Sequence, residues 1–153
     1  MIESDYQRDL KKGLTAQGIW LYKIPDSAMG ITKPCDFIGN VRGLHLSAEA
    51  KLYKSDLIKY DDRVITPASF KGRDHQLRHL NSMLEMGGLG LVFVGAYQTQ
   101  HPWQKISIVI RADKMEETMT LQRCREIGFE MEWSIGWTMN IKSPILRQRL
   151  FVK

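Results

Sequence analysis

The stretch from Pro34 to Lys51, PCDFIGNVRGLHLSAEAK, holds three charged side chains whose types and spacing suit one chemistry. Phe37-Ile38-Gly39-Asn40 is a short apolar run closed by turn residues, and Gly43 opens a second run, Leu44 to Lys51, with strand-like alternation. A period of two sets Leu44, Leu46, Ala48 and Ala50 on one face and His45, Ser47, Glu49 and Lys51 on the other. Glu49 and Lys51 are then same-face neighbours, and Asp36 stands across one hairpin turn from them. Two carboxylates can hold a hard divalent ion through oxygen, while an ammonium beside them orients an attacking water or offsets charge on a phosphorane. The set suits metal-assisted attack on a phosphodiester. An acid-x-Lys pair alone is also what an edge strand with a surface ion pair looks like; Asp36, set two residues after a proline, favours the catalytic reading.

Several elements must position these groups. Residues 4 to 17 have helical periodicity, with Tyr6, Leu10 and Leu14 facing a core and Lys11 and Lys12 facing water. Ser4-x-x-Gln7 has the form of a capping box. Gly18 ends that helix, and Ile19 to Ile24 reads as a buried strand. The polar connection from Leu52 to Arg73 sets Lys54, Lys59, Arg63, Lys71 and Arg73 among Tyr53, Tyr60 and Phe70, a mixture suited to phosphate contact and stacking on unpaired bases. Asp56, Asp61 and Asp62 dilute that signal. Asp74 to Met86 is a second helix, N-capped by Asp74, with Leu77, Leu80 and Leu84 as its apolar face and Gly87-Gly88 as its stop. His75 and His79 share an i, i+4 face but lack the glutamate and third ligand of a zinc site, so they read as DNA-facing or surface histidines.

Leu89 to Tyr97 and Trp103 to Arg111 are expected strands. Asp113 and Glu116 have the spacing of a capping box for a third helix running to about Ile127. Phe129 to Met139 and Ile145 to Val152 are expected as short terminal strands, with Trp133 and Trp137 as core or dimer contacts ahead of base-stacking groups. The element order predicts an α/β domain with a mixed sheet.

Composition bounds the function classes. The 153 residues, 43% hydrophobic and 25% charged, are ordinary usage for one globular domain spanning 1–153. No apolar stretch approaches the ~18–20 residues of a membrane span and the N-terminus has no signal-peptide pattern, so a cytoplasmic protein is expected. Cys35 and Cys124 lack zinc spacing and read as free thiols. The net charge of +5 permits nucleic-acid binding. Its distribution is uneven: after Glu132 no acidic residue follows, whereas Lys142, Arg147, Arg149 and Lys153 do, giving a basic segment over about 138–153.

Pro34-x-Asp36, a turn, then Glu49-x-Lys51 resembles the core motif of the PD-(D/E)XK nuclease superfamily. With His75-Gln76-Leu77-Arg78-His79 and Gly87 to Val94 in order behind it, the segment 1–97 is similar to Holliday-junction resolvases of the RecU type and their phage relatives. The resemblance implies a restriction-endonuclease-like fold, a mixed β-sheet flanked by helices. It further implies an endodeoxyribonuclease that depends on Mg2+, with Mn2+ an acceptable substitute and no small-molecule cofactor, and that makes paired nicks in four-way DNA junctions. Asp36 and Glu49, with Glu3 from the first helix, would bind the metal, alongside the backbone carbonyl of Ala50; Asp5 competes with Glu3 for that role. Lys51 would position a metal-activated water or stabilise the transition state, with Gln76 and Gln7 in support. Ser27 is matched to a serine that assists catalysis in archaeal relatives. Lys54, Lys71, Arg73, His75 and His79 complete the expected DNA-binding set. Two symmetric nicks imply a homodimer, on no membrane. A relative cutting flaps, forks or duplexes would use the same residues, and a catalytically inactive DNA-binding module is the alternative of another class.

Overall fold

The computed structural model describes residues 3–25, 33–41, 43–55, 63–64, 74–101, 105–133 and 139–141. Helix α1 (Glu3–Ala16) leads into β1 (Trp20–Lys23), β2 (Phe37–Val41) and the twelve-residue β3 (Leu44–Ser55). After a two-residue β4 (Arg63–Val64) come α2 (Asp74–Glu85), β5 (Leu89–Gln98) and β6 (Lys105–Arg111). A single 3-10 turn (Ala112–Lys114) then precedes β7 (Met119–Thr120), α3 (Leu121–Ile127), β8 (Phe129–Trp133) and β9 (Met139–Ile141).

Seven strands form one mixed sheet in the order β1-β2-β3-β5-β6-β8-β9, and β4 pairs with β7 apart from it. Among the described strands of the large sheet only β3 and β5 run parallel, with Leu46 opposite Leu89 through Ser55 opposite Gln98. Parallel neighbours need a crossover, and α2 supplies it.

Alternation along the strands divides the core between the two sheet faces. Tyr6, Leu10 and Leu14 of α1 pack with Leu46, Ala48, Ala50, Leu91 and Phe93 on one face. Leu80 of α2 packs with Val92, Val94, Ile108 and Ile110 on the other. Each fully buried leucine here contributes on the order of 1.5–3 kcal/mol. Polar contacts fix α1 in place: the Tyr6 hydroxyl lies 2.8 Å from Ser107 Oγ, its ring sits 4.8 Å from that of Trp133, and Trp133 Nε1 donates to Asp9 Oδ2 at 3.1 Å. Two glycines permit close docking. A Cβ on Gly95 would meet the Tyr6 ring, and one on Gly90 would collide with the backbone carbonyl of Leu80.

The structure corrects two expectations. The segment 19–24 is not a strand buried on both faces: β1 is the sheet edge, with Leu21 buried while Trp20 is 57% and Tyr22 46% exposed. The third helix does not begin at Asp113. Thr120 caps it, its hydroxyl accepting from the Arg123 amide at 3.1 Å, and Glu116 forms an ion pair with the Arg123 guanidinium instead of closing a capping box. Trp133 is a core residue, and Cys35 and Cys124 are free buried thiols. Trp137, the proposed strand 145–152 and the basic segment lie wholly or mostly outside the described residues, among which no helix is long and apolar enough to cross a membrane.

Candidate active site

The hairpin β2–β3 pairs from Val41 opposite Leu44 to Phe37 opposite Ala48, and there β2 ends. The Asp36 amide still donates to the Ala48 carbonyl at 3.0 Å, and the Asp36 side chain then continues the pairing, its Oδ2 accepting the Ala50 N–H at 2.9 Å. A strand residue's N–H and C=O point to the same side. The Ala50 carbonyl is therefore turned toward Asp36, beyond the last β2–β3 pair.

Glu49 stands between Ala48 and Ala50, so it points to the opposite sheet face from α1, as do Ser47 and Lys51. Glu49 is 1% and Lys51 6% exposed, with Lys51 Nζ 3.2 Å from Glu49 Oε1. The Asp36 and Glu49 carboxyls are close enough to feel one another's charge. Burial first, then the charge of Asp36, pushes the Glu49 pKa up to about 8, while Lys51 pulls it partly back. Glu49 Oε2 is buried with no hydrogen-bond partner. Lys33, which sequence reasoning missed, lies 3.1 Å from Asp36 Oδ1. Its i, i+3 spacing across Pro34 was the signal available.

Helix α2 covers this face. His79 Nε2 lies 3.3 Å from Ser47 Oγ, itself 3.5 Å from His45 Nε2. Burial and the neighbouring His45 hold the His79 pKa below its ordinary value. A crossover helix runs opposite to the strands it connects. One turn back from His79 to Gln76 is thus a step forward along β3, from Ser47 toward Glu49. Gln76 is 7% exposed, and its Oε1 is a second buried oxygen with no hydrogen-bond partner. Carboxylates, a carbonyl and unsatisfied acceptor oxygens are the donor chemistry of a hard divalent ion, so the residues fit such a group.

No family model and no curated protein sequence matches the chain. Among solved structures it is similar to Archaeoglobus fulgidus Hjc, a Holliday junction resolvase from an archaeal hyperthermophile, with a TM-score of 0.50 and 13% identity over 94% of this chain and 97% of that one. The two share a fold. It is the α/β, restriction-endonuclease-like arrangement, a mixed sheet flanked by helices. The neighbour is archaeal, not of the RecU or phage type that the sequence motif resembles.

The remaining expected residues are only partly described. Glu3 is exposed in the first turn of α1, and among the described residues no three His, Cys, Asp or Glu side chains gather tightly enough to hold a metal ion. Gln7 is buried on α1, and Lys54 is exposed near the end of β3. Ser27, Lys71 and Arg73 lie outside the described residues, as does the side chain of His75. Strand alternation places Ser47 and His45 on the site face, but assigns neither a role.

Proposed function

We propose that this chain is a divalent-metal-dependent endodeoxyribonuclease that resolves Holliday junctions by paired nicks. The observation that carries the proposal is the buried Asp36–Glu49–Lys51 cluster at the point where β2 leaves β3. Its setting, a fold shared with a Holliday junction resolvase, supports the choice of substrate.

In this reading Asp36, Glu49 and the Ala50 carbonyl would hold Mg2+, or Mn2+ in its place. Glu3, not gathered with them among the described residues, would be a further ligand. The bound ion supplies Lewis acidity and charge neutralisation at the phosphodiester. The chain supplies orientation. Asp36 is held by the Ala50 amide and by Lys33, which fixes one carboxylate before substrate arrives. Lys51, buried beside Glu49, presents a pre-positioned ammonium that orients the attacking water or faces the negative charge developing on the phosphoryl oxygens. Gln76 and Gln7 support the site, and the product keeps a 5′ phosphate. Two nicks related by two-fold symmetry require two such sites, hence a homodimer.

The test is a labelled four-way junction and a linear duplex of matched sequence, each with Mg2+ and with chelator. Paired, metal-dependent nicks in the junction alone are expected. Glu49→Gln is expected to bind the junction without cutting it; cutting at the parent rate would remove Glu49 from the site.

A further inference from the structure

The cluster at Asp36 and Glu49 leaves a second feature of the same sheet face unexplained. Trp20 and Tyr22 are, with Met86, the large hydrophobic side chains exposed among the described residues. They stand two apart on β1 with ring centroids 6.4 Å apart and planes within 15°. That separation is the strand repeat of about 6.6 Å. It is also close to twice the ~3.4 Å spacing of stacked bases.

Strand register locates them. Trp20 lies opposite Asn40, which lies opposite His45; Tyr22 lies opposite Ile38, which lies opposite Ser47. Residues paired directly across a sheet share a face, so both rings project from the face that bears Ser47 and Glu49. Leu21, between them, is buried against the α1 side. On this face α2 packs on β3 and β5, whereas Asn40 and His45 beside the rings are exposed. Glu49 is two strands across and two residues along from the level of Tyr22, roughly 12 Å away at ~4.8 Å per strand and ~3.3 Å per residue. Trp20 is about 16 Å away by the same measure. A DNA strand at ~3.4 Å per nucleotide covers either span in no more than about five nucleotides.

We propose that Trp20 and Tyr22 form a slot that takes one unpaired base of the DNA strand whose phosphate lies at Asp36 and Glu49. The inference rests on the nuclease reading and deepens it: the substrate must offer an unstacked base a few nucleotides from the cleaved bond, as branch points and single-stranded ends do and continuous duplex does not. A flat base stacked on both rings needs about 6.8 Å between their planes, so the two exposed side chains must part slightly from their 6.4 Å centroid separation to admit one, and then take it without regard to sequence, because every base has a π-face. A second copy of the chain adding to the edge of β1 would use its backbone N–H and C=O groups, which lie in the plane of the sheet, and would leave rings projecting from the face uncovered.

The experiment uses the full chain in chelator, so that nothing is cut. Binding is measured to a short single-stranded oligodeoxynucleotide, a duplex and a four-way junction, with 2-aminopurine at unpaired positions as a stacking reporter. Trp20→Ala and Tyr22→Ala are each expected to weaken single-strand binding by about tenfold to hundredfold and to abolish the reporter's quenching. Duplex affinity should change less than twofold, and Trp20→Phe should keep most of the quenching. Both side chains are exposed, and a thermal melt confirms that each variant is folded. Unchanged single-strand affinity and quenching in both alanine variants would overturn the slot while leaving the nuclease reading intact. So would equal losses on duplex and single strand, or a change in sedimentation that marks the rings as a contact between copies. Failure of the parent protein to bind any of the three DNAs would overturn both.

Discussion

The carboxylate of Asp36 accepts the backbone amide of Ala50 at 2.9 Å, so one side chain performs the hydrogen bonding that β2 abandons one residue earlier. Asp36 therefore has two separable duties, one to the backbone and one as an acid. Asp36→Asn keeps an oxygen for the amide and removes the charge; its melting temperature should stay within a few degrees of the parent while junction cleavage is lost. Asp36→Ala orphans a buried N–H, and should cost about 1–3 kcal/mol in denaturant unfolding as well as all cleavage.

Glu49 makes stability depend on pH in an unusual direction for a carboxylate. In the metal-free fold it titrates at about 8, against roughly 4.3 for an unperturbed glutamate. Between those values the folded chain holds more protons than the unfolded one, so stability is complete below the lower value and declines as pH rises toward the upper. Glu49→Gln should flatten this slope. In chelator the variant should be more stable than the parent at pH 8–9 by on the order of 1–4 kcal/mol, with the difference vanishing near pH 4. Urea midpoints across that range give the measurement. Added Mg2+ should restore the parent preferentially at high pH, because ligation needs the ionised acid.

Lys51 offsets a buried charge and, in the proposed reaction, faces another. Lys51→Met leaves Glu49 without its neighbouring cation, 3.2 Å away in the parent, and should extend the loss of stability to higher pH. Single-turnover cleavage should fall by about 10²–10³-fold, with junction affinity near that of the parent. Arginine is a poor substitute, because its planar fork cannot occupy the position of a compact ammonium.

Gly90 controls how closely α2 approaches the site. An alanine there meets the Leu80 carbonyl, which is backbone and cannot swing away. Gly90→Ala should cost about 1–3 kcal/mol, and should lower cleavage even where the variant is fully folded, since the helix that moves carries Gln76 and His79. Gly43→Ala is the contrast. It lies in the exposed hairpin turn at φ +85° with open space around it, so it should cost about 1 kcal/mol and leave cleavage unchanged in folded protein.

Both cysteines are buried, and burial raises each thiol to about 11. At pH 8 neither supplies appreciable thiolate. A disulfide-exchange reagent should label the native chain only at the rate of opening, and label both sites at once in denaturant.

Much of this arrangement was legible in the sequence because alternation is a local property. A period of two assigned Ala48 and Ala50 to one face and Glu49 and Lys51 to the other, and a spacing of four assigned Tyr6, Leu10 and Leu14 to the core. What escaped depends on tertiary partners. Asp113-x-x-Glu116 has the spacing of a cap, but Arg123, seven residues on, holds both Glu116 oxygens at 2.8 Å. The apolar run 19–24 reads as buried, yet no periodicity says that it lies at a sheet edge with Trp20 outward. The desolvation of Glu49 needs the whole sheet face to be covered, and the contact of α2 with β3 on that face is decided by a crossover that the spacing of the motif does not contain.

That crossover has a kinetic consequence. The β2–β3 hairpin closes a short loop, an event of about microseconds that already brings Asp36 beside Ala50. The parallel pairing of β3 with β5 spans a far longer connection and pays a larger loop entropy before any contact rewards it. Until that step the two acids are hydrated like any others on a nascent hairpin. Burial of Glu49, alignment of Gln76 and closure of the sheet arrive together, so an incompletely folded chain has the motif without the environment that gives the motif its chemistry.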